Sequence, residues 1–121
     1  MLPKAHKLPS PAQFRRTMAA RTRAGSRTLV VHVAARTELA FSGGPRFGLI
    51  VSKAVGNAVT RHSVSRKLRH VVAAGVDTLA RDTDVVVRAL PPAAAASSAE
   101  LARDYEQALA AALKKLRAKG K

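Results

Sequence analysis

The chain has 121 residues, with 22 lysines and arginines against 7 acidic residues and a formal charge of +15. That length suits one compact domain with a modest core. The absence of cysteine excludes a disulfide scaffold, a thiolate zinc site and thiol catalysis, and no window reaches the ~20 continuous apolar residues of a membrane-spanning helix. The charge is unevenly placed: residues 1–76 carry 14 Lys/Arg and a single acid, Glu38, whereas residues 77–121 carry 8 Lys/Arg and 6 acids. A merely solvated surface mixes its signs, so this concentration points to a polyanionic partner, nucleic acid ahead of an acidic membrane surface. The start, MLPKAHKLPSPAQF, lacks the apolar run of a secretory signal, and a cytoplasmic location is expected.

Ser10-Pro11-Ala12-Gln13 has the form of a helix start, with Ser as N-cap, Pro at the first helical position and Gln closing a capping box. It predicts a helix to about Arg21, with Phe14 and Met18 one turn apart. The run RTLVVHVAAR from Arg27 predicts a strand whose alternation sends Leu29, Val31 and Val33 to one side and Val30, His32 and Ala34 to the other. Ser42-Gly43-Gly44-Pro45 marks a loop before a second strand, RFGLIVS, and two consecutive strands suggest an antiparallel pair. Asn57 as N-cap and Gly75 as stop bound a helix whose buried stripe is Val64, Leu68, Val71 and Val72. Asp84 to Leu90 reads as a buried strand, Pro91-Pro92 and the four alanines as a turn or hinge, and the alanine-rich stretch after Pro92 as a solvated linker. Ser97 and Glu100 form a second capping box, opening a helix with Leu101, Tyr105, Leu109, Leu113 and Leu116 on one face. The order α-β-β-α-β-α, with room for one further short strand, predicts an α+β fold: a single-domain sandwich of a mixed sheet with packed helices. Residues 1–9 and 117–121 read as flexible basic tails.

The helix from Ala58 carries the chemistry. Arg61, His62, Ser65, Arg66 and Arg69 line the arc beside its apolar stripe, with Arg61 nearest the core. Lys53 lies just ahead, where Gly56 permits a tight approach. Cations on one face without a neutralising carboxylate engage several phosphates at once. Catalysis by the protein itself is disfavoured, because His62 and His70 stand about 80° apart around the helix, too far to act as a concerted pair. His6 lies in an N-terminal arm. Asp77, Asp82 and Asp84 are spaced for caps and turns rather than for a metal. A DNA-binding module is less well suited, since neither a helix-turn-helix pair nor zinc-finger spacing is present.

The string RFGLIVSKAVGNAVTRHSVSRKLRHVV resembles the signature of the bacterial ribonuclease P protein component family. Gly56, Asn57, Ala58, Val59, Arg61, Arg66 and Arg69 match the pattern as they stand, and the likeness extends over most of the chain. The chain departs from it at Ala54, where a second lysine is usual, at His62, where asparagine is usual, and at Ser63 and Ser65, which are often basic. The resemblance implies a fold with a left-handed βαβ crossover around the signature helix. It also implies a protein subunit whose catalytic RNA, with RNA-held Mg2+, removes the 5′ leader of precursor tRNA, no residue of the protein being catalytic and no cofactor being held tightly by it. Carried over residue by residue, RNA binding falls to Lys53, Asn57, Arg61, His62, Arg66, Lys67 and Arg69. The leader falls to a cleft between the first helix and the sheet, at Phe14, Met18 and His32. The family prefers aromatic residues at the latter two, so leader contacts here are expected to rest more on charge and shape than on stacking. The implied partners are the catalytic RNA, with one protein per RNA, and precursor tRNA, with no membrane. The alternative is a structural RNA-binding protein of ribosomal type with no role in cleavage.

Overall fold

The computed structural model describes residues 15–18, 22–35, 45–80 and 83–119. Residues 15–18 are helical (α1). They are followed by β1 (Arg23–Gly25), β2 (Leu29–Ala35), β3 (Arg46–Ile50), α2 (Ala58–Ala74), β4 (Thr83–Ala89) and α3 (Ser98–Lys119). Short 3₁₀ turns stand at Val76–Thr78 and Pro91–Ala95. The sheet is mixed, in the order β1-β2-β4-β3. The β1/β2 and β2/β4 pairs are antiparallel, whereas β3 lies parallel to β4, so β3, α2 and β4 make a βαβ unit. This is the α+β architecture that the element order predicts, and β1 is the additional short strand.

The expected pairing of the two consecutive strands is corrected by this order. β2 and β3 do run in opposite directions, but β4 stands between them. The reason lies in β4 itself. Val85, Val86 and Val87 are all fully buried, and a strand covered on both faces belongs at the centre of a sheet rather than at its edge. The stretch 36–44 between β2 and β3 is too long to impose a hairpin.

Alternation then sorts the two faces. Leu29, Val31 and Val33 of β2, Phe47 of β3 and Val85 and Val87 of β4 form one side of the core. Val64, Leu68 and Val72 of α2, together with Leu101, Tyr105 and Ala112 of α3, form the other. The opposite sheet face carries His32 and Ala34 of β2 with Val86 and Asp84 of β4, adjacent in register. Helix α2 is held at its start by the Asn57 side chain, which accepts the Thr60 N–H at 2.9 Å, and it ends at Gly75. The capping box at α3 forms as expected, with reciprocal bonds of 3.1 Å between Ser97 and Glu100.

One further expectation changes. The stretch after β4 forms the expected turn, a 3₁₀ one, but it is not solvated: Ala93 and Ala96 are buried in the core. Leu113 and Leu116 pack against the core, and α3 runs on through Lys119.

Asp84 is neither a cap nor a turn residue. It is 1% exposed and takes two hydrogen bonds from the Arg46 guanidinium, at 2.9 and 2.8 Å, with Arg16 of α1 at 3.4 Å. The pair is cross-strand in the β3/β4 register and bidentate, the strong geometry for an arginine and a carboxylate. Breaking a buried pair leaves an uncompensated charge, so Asp84→Asn is expected to cost about 3 kcal/mol in urea unfolding. Replacing both partners by apolar residues, Arg46→Met with Asp84→Leu, is expected to cost less than the single change. A single-variant loss below about 1 kcal/mol would remove the pair's structural importance.

Candidate nucleic-acid interface

The buried stripe of α2 fixes where its charges point. With Val64, Leu68 and Val72 against the sheet, His62 and Arg66 are exposed and Arg69 is half-buried on the outer arc beside them. Arg61 sits at the first turn on the core side of that arc, half-buried, and its Nε–H is out of water with no hydrogen-bond partner. A buried donor left unpaired is costly, and an acceptor oxygen supplied by a ligand would satisfy it. Lys53 is exposed in the turn that leads from β3 into the helix. Gly56 makes that turn possible: a Cβ there would stand 2.9 Å from the Thr60 Cγ2, and its φ of 158° is one that other residues rarely adopt.

Lys67 does not join the group. It lies on the opposite flank of the buried stripe, about 160° around the helix from Arg69, and its ammonium donates to the Ala96 carbonyl at 3.2 Å. Its observed role is to tie α2 to the 3₁₀ turn. Asn57 spends its side-chain oxygen on the cap, which leaves its amide nitrogen for other contacts.

The second candidate surface is the sheet face opposite the core. Arg16 reaches Asp84 on this face, which places α1 over one end of it, and Thr17 beside it is fully buried. Met18 is half-buried, and Phe14 lies outside the described residues. His32 is 3% exposed, and both of its ring nitrogens lack a partner. Burial, and then the positive fields of Arg23 and Arg88, hold its pKa below the ordinary value of 6.5, favouring the neutral imidazole. Beyond Val86 the cover ends: Arg88 and Gly25 are exposed, and Val30 and Ile50 are half-buried. Sequence reasoning missed Arg23 and Arg88, because nothing local marks a strand arginine as part of a site. Their register with His32 and Val30 is what shows it.

These features define a small α+β protein with a cationic helix on one side and a partly open sheet face on the other. The Ribonuclease P family model matches residues 2–113. The chain is 59% identical over 112 residues to the ribonuclease P protein component of Corynebacterium diphtheriae, covering 90% of this chain and 94% of that protein. It is 53% identical over 119 residues to that of Rhodococcus opacus, covering 96% and 92%. The Staphylococcus aureus RNase P protein superposes with a TM-score of 0.76 at 26% identity, covering 88% of this chain and 94% of that one. The chain belongs to the ribonuclease P protein family, the protein components of an endoribonuclease of tRNA processing.

The buried imidazole gives this surface a pH signature. Because His32 titrates lower in the folded than in the unfolded chain, unfolding takes up a proton as the pH falls through about 6.5. Stability is therefore expected to drop between pH 7 and pH 5.5, and His32→Phe to flatten that part of the profile in denaturant titrations. Equal slopes in the two proteins would show that His32 accepts its charge without penalty. At the helix start, Asn57→Ala is expected to cost about 1 kcal/mol of stability through the lost cap, measured by the same titration.

Proposed function

We propose that the chain is the protein subunit of a ribonuclease P holoenzyme, binding the catalytic RNA through α2 and the 5′ leader of precursor tRNA on the open sheet face. The arc of Arg61, His62, Arg66 and Arg69, on a helix without a single acidic residue, is the observation that carries this reading. Arg66 and Arg69 present guanidinium groups to backbone phosphates, and the unpaired Nε–H of Arg61 gives a third charge-assisted contact at the helix start. Lys53 extends the set from the preceding turn. On the other face, Met18 meets leader bases beside the covered His32, and Arg23 and Arg88 supply the positive field at the open end.

In this reading the RNA holds the magnesium and carries out hydrolysis. Among the described residues no three His, Asp or Glu side chains come together. The protein's part is to neutralise phosphates and to hold two RNA segments in place.

The test is cleavage of precursor tRNA at low magnesium with catalytic RNA alone, protein alone and both together. Cleavage at the mature 5′ end only with both is expected. RNA binding without stimulation would favour a structural RNA-binding role, and cleavage by the protein alone would overturn the division of labour. Arg61→Ala and Arg69→Ala are each expected to weaken binding of the RNA subunit and to lower its salt slope by about one unit. An unchanged slope in the double variant would exclude both as phosphate ligands.

A further inference from the structure

Where the sheet face opens, a concavity wraps around the β1 edge, lined by Arg23, Ala24, Gly25, Val30, Arg88 and Lys115. Its floor is built in register: Gly25, Val30 and Arg88 stand side by side on three adjacent strands. Its far wall comes from α3, where the Lys115 ammonium donates to the Arg23 carbonyl at 2.7 Å. That bond satisfies one carbonyl on the exposed edge of β1 and brings a third cation to the rim, with two of its three donors still available. None of the lining residues is acidic, and Arg23, Arg88 and Lys115 are all exposed.

Three cations around one hollow repel one another unless an anion sits among them. A single backbone phosphodiester carries one charge, too little to balance three, whereas a cluster of phosphates matches them. The hollow also lies at the sheet's edge, one row from His32, where a strand of RNA running across the face comes to an end rather than entering a channel.

We propose that this concavity is a subsite for the 5′-terminal triphosphate of a short RNA leader, which favours unprocessed transcript ends over internal phosphodiesters. The inference rests on the leader-binding reading of the same face. Arg23 and Arg88 flank the phosphates from the floor and Lys115 from the rim. Gly25 leaves the floor open, because a Cβ there would meet nothing closer than the Val30 Cγ2 at 4.0 Å.

The experiment compares two precursor tRNAs that differ only in carrying a 5′-triphosphate or a 5′-hydroxyl on a short leader. Each is bound to the holoenzyme across a range of salt, and the matching leader oligonucleotides are bound to the protein alone. The triphosphate is expected to bind about tenfold tighter at low salt, with a salt slope steeper by about two, at ~0.7 per neutralised single-strand phosphate. The double variant Arg23→Gln/Lys115→Gln should bring the ratio towards one. So should Gly25→Val, which fills the floor without touching a charge. Millimolar inorganic triphosphate should erase the advantage in the unsubstituted protein only.

A ratio of one in the unsubstituted protein, or a ratio that survives both variants, overturns the subsite. Equal displacement of both substrates by inorganic triphosphate overturns it as a site for an RNA end. Loss of the subsite with cleavage still stimulated leaves the holoenzyme reading standing. Failure of that reading shows instead as absent stimulation, and the oligonucleotide ratio on the free protein still decides the subsite.

Discussion

The Asp84 carboxylate joins three parts of the chain that the sequence keeps far apart: β4 through its own backbone, β3 through Arg46 and α1 through Arg16. Its position on the sheet face away from the core governs how that face is used. At the Asp84 end, Arg46 is drawn in and covered, only 14% exposed, and Arg16 reaches in from the surface. At the Arg88 end nothing among the described residues covers the strands, and the arginines point outward. One buried carboxylate thus turns a sheet surface into a graded cleft, closed at one end and open at the other. An apolar pair could pack as tightly, but it would not draw the α1 arginine down onto the sheet.

Asp104 and Glu100 follow the same economy of placement. Asp104 is buried and accepts a hydrogen bond from the Thr28 hydroxyl at 2.6 Å, fixing α3 to the β1–β2 turn. Glu100 closes its capping box and faces Arg27 at 3.6 Å. These acids serve local structure on β4 and α3, and α2 has none. Its arginines and Lys53 therefore keep an unscreened field at the surface, the condition for phosphate binding that depends on salt. The net charge comes from composition, but its usefulness comes from where the few acids are spent.

Much of this was legible in the sequence because the signals are local. The caps at Asn57 and Ser97, the stop at Gly75 and the stripes of α2 and α3 follow from short-range periodicity and capping chemistry, and each stands where the residues predict it. What was not legible depends on long-range pairing. No local pattern tells Val85-Val86-Val87 which strands will flank it, so the insertion of β4 between β2 and β3 had to be seen. The same holds for the site. Arg61, Arg66 and Arg69 are marked by helical spacing, but Lys67 carries the same charge in the same run and turns to the Ala96 carbonyl. Asp84 looked like a turn residue because its partner Arg46 is 38 residues away.

The parallel pairing of β3 and β4 explains how two surfaces on opposite sides of the sheet come to lie at one end of it. Parallel strands end on the same side, and in open sheets ligands gather outside those carboxyl ends. Here β3 ends at Ile50 beside Arg88 of β4, at the open end of the cleft. The chain leaves β3 directly into the turn carrying Lys53, then reaches Gly56, Asn57 and the first turn of α2 with Arg61. The start of the cationic helix and the mouth of the cleft are therefore neighbours by topology, although α2 packs on the core face. An antiparallel β3/β4 pair would have put the β3 end, and the turn that follows it, beside Asp84 instead, at the closed end of the cleft. The crossover thus lets one small sheet present its cleft mouth and its cationic helix start at the same end, while the face between them remains packed.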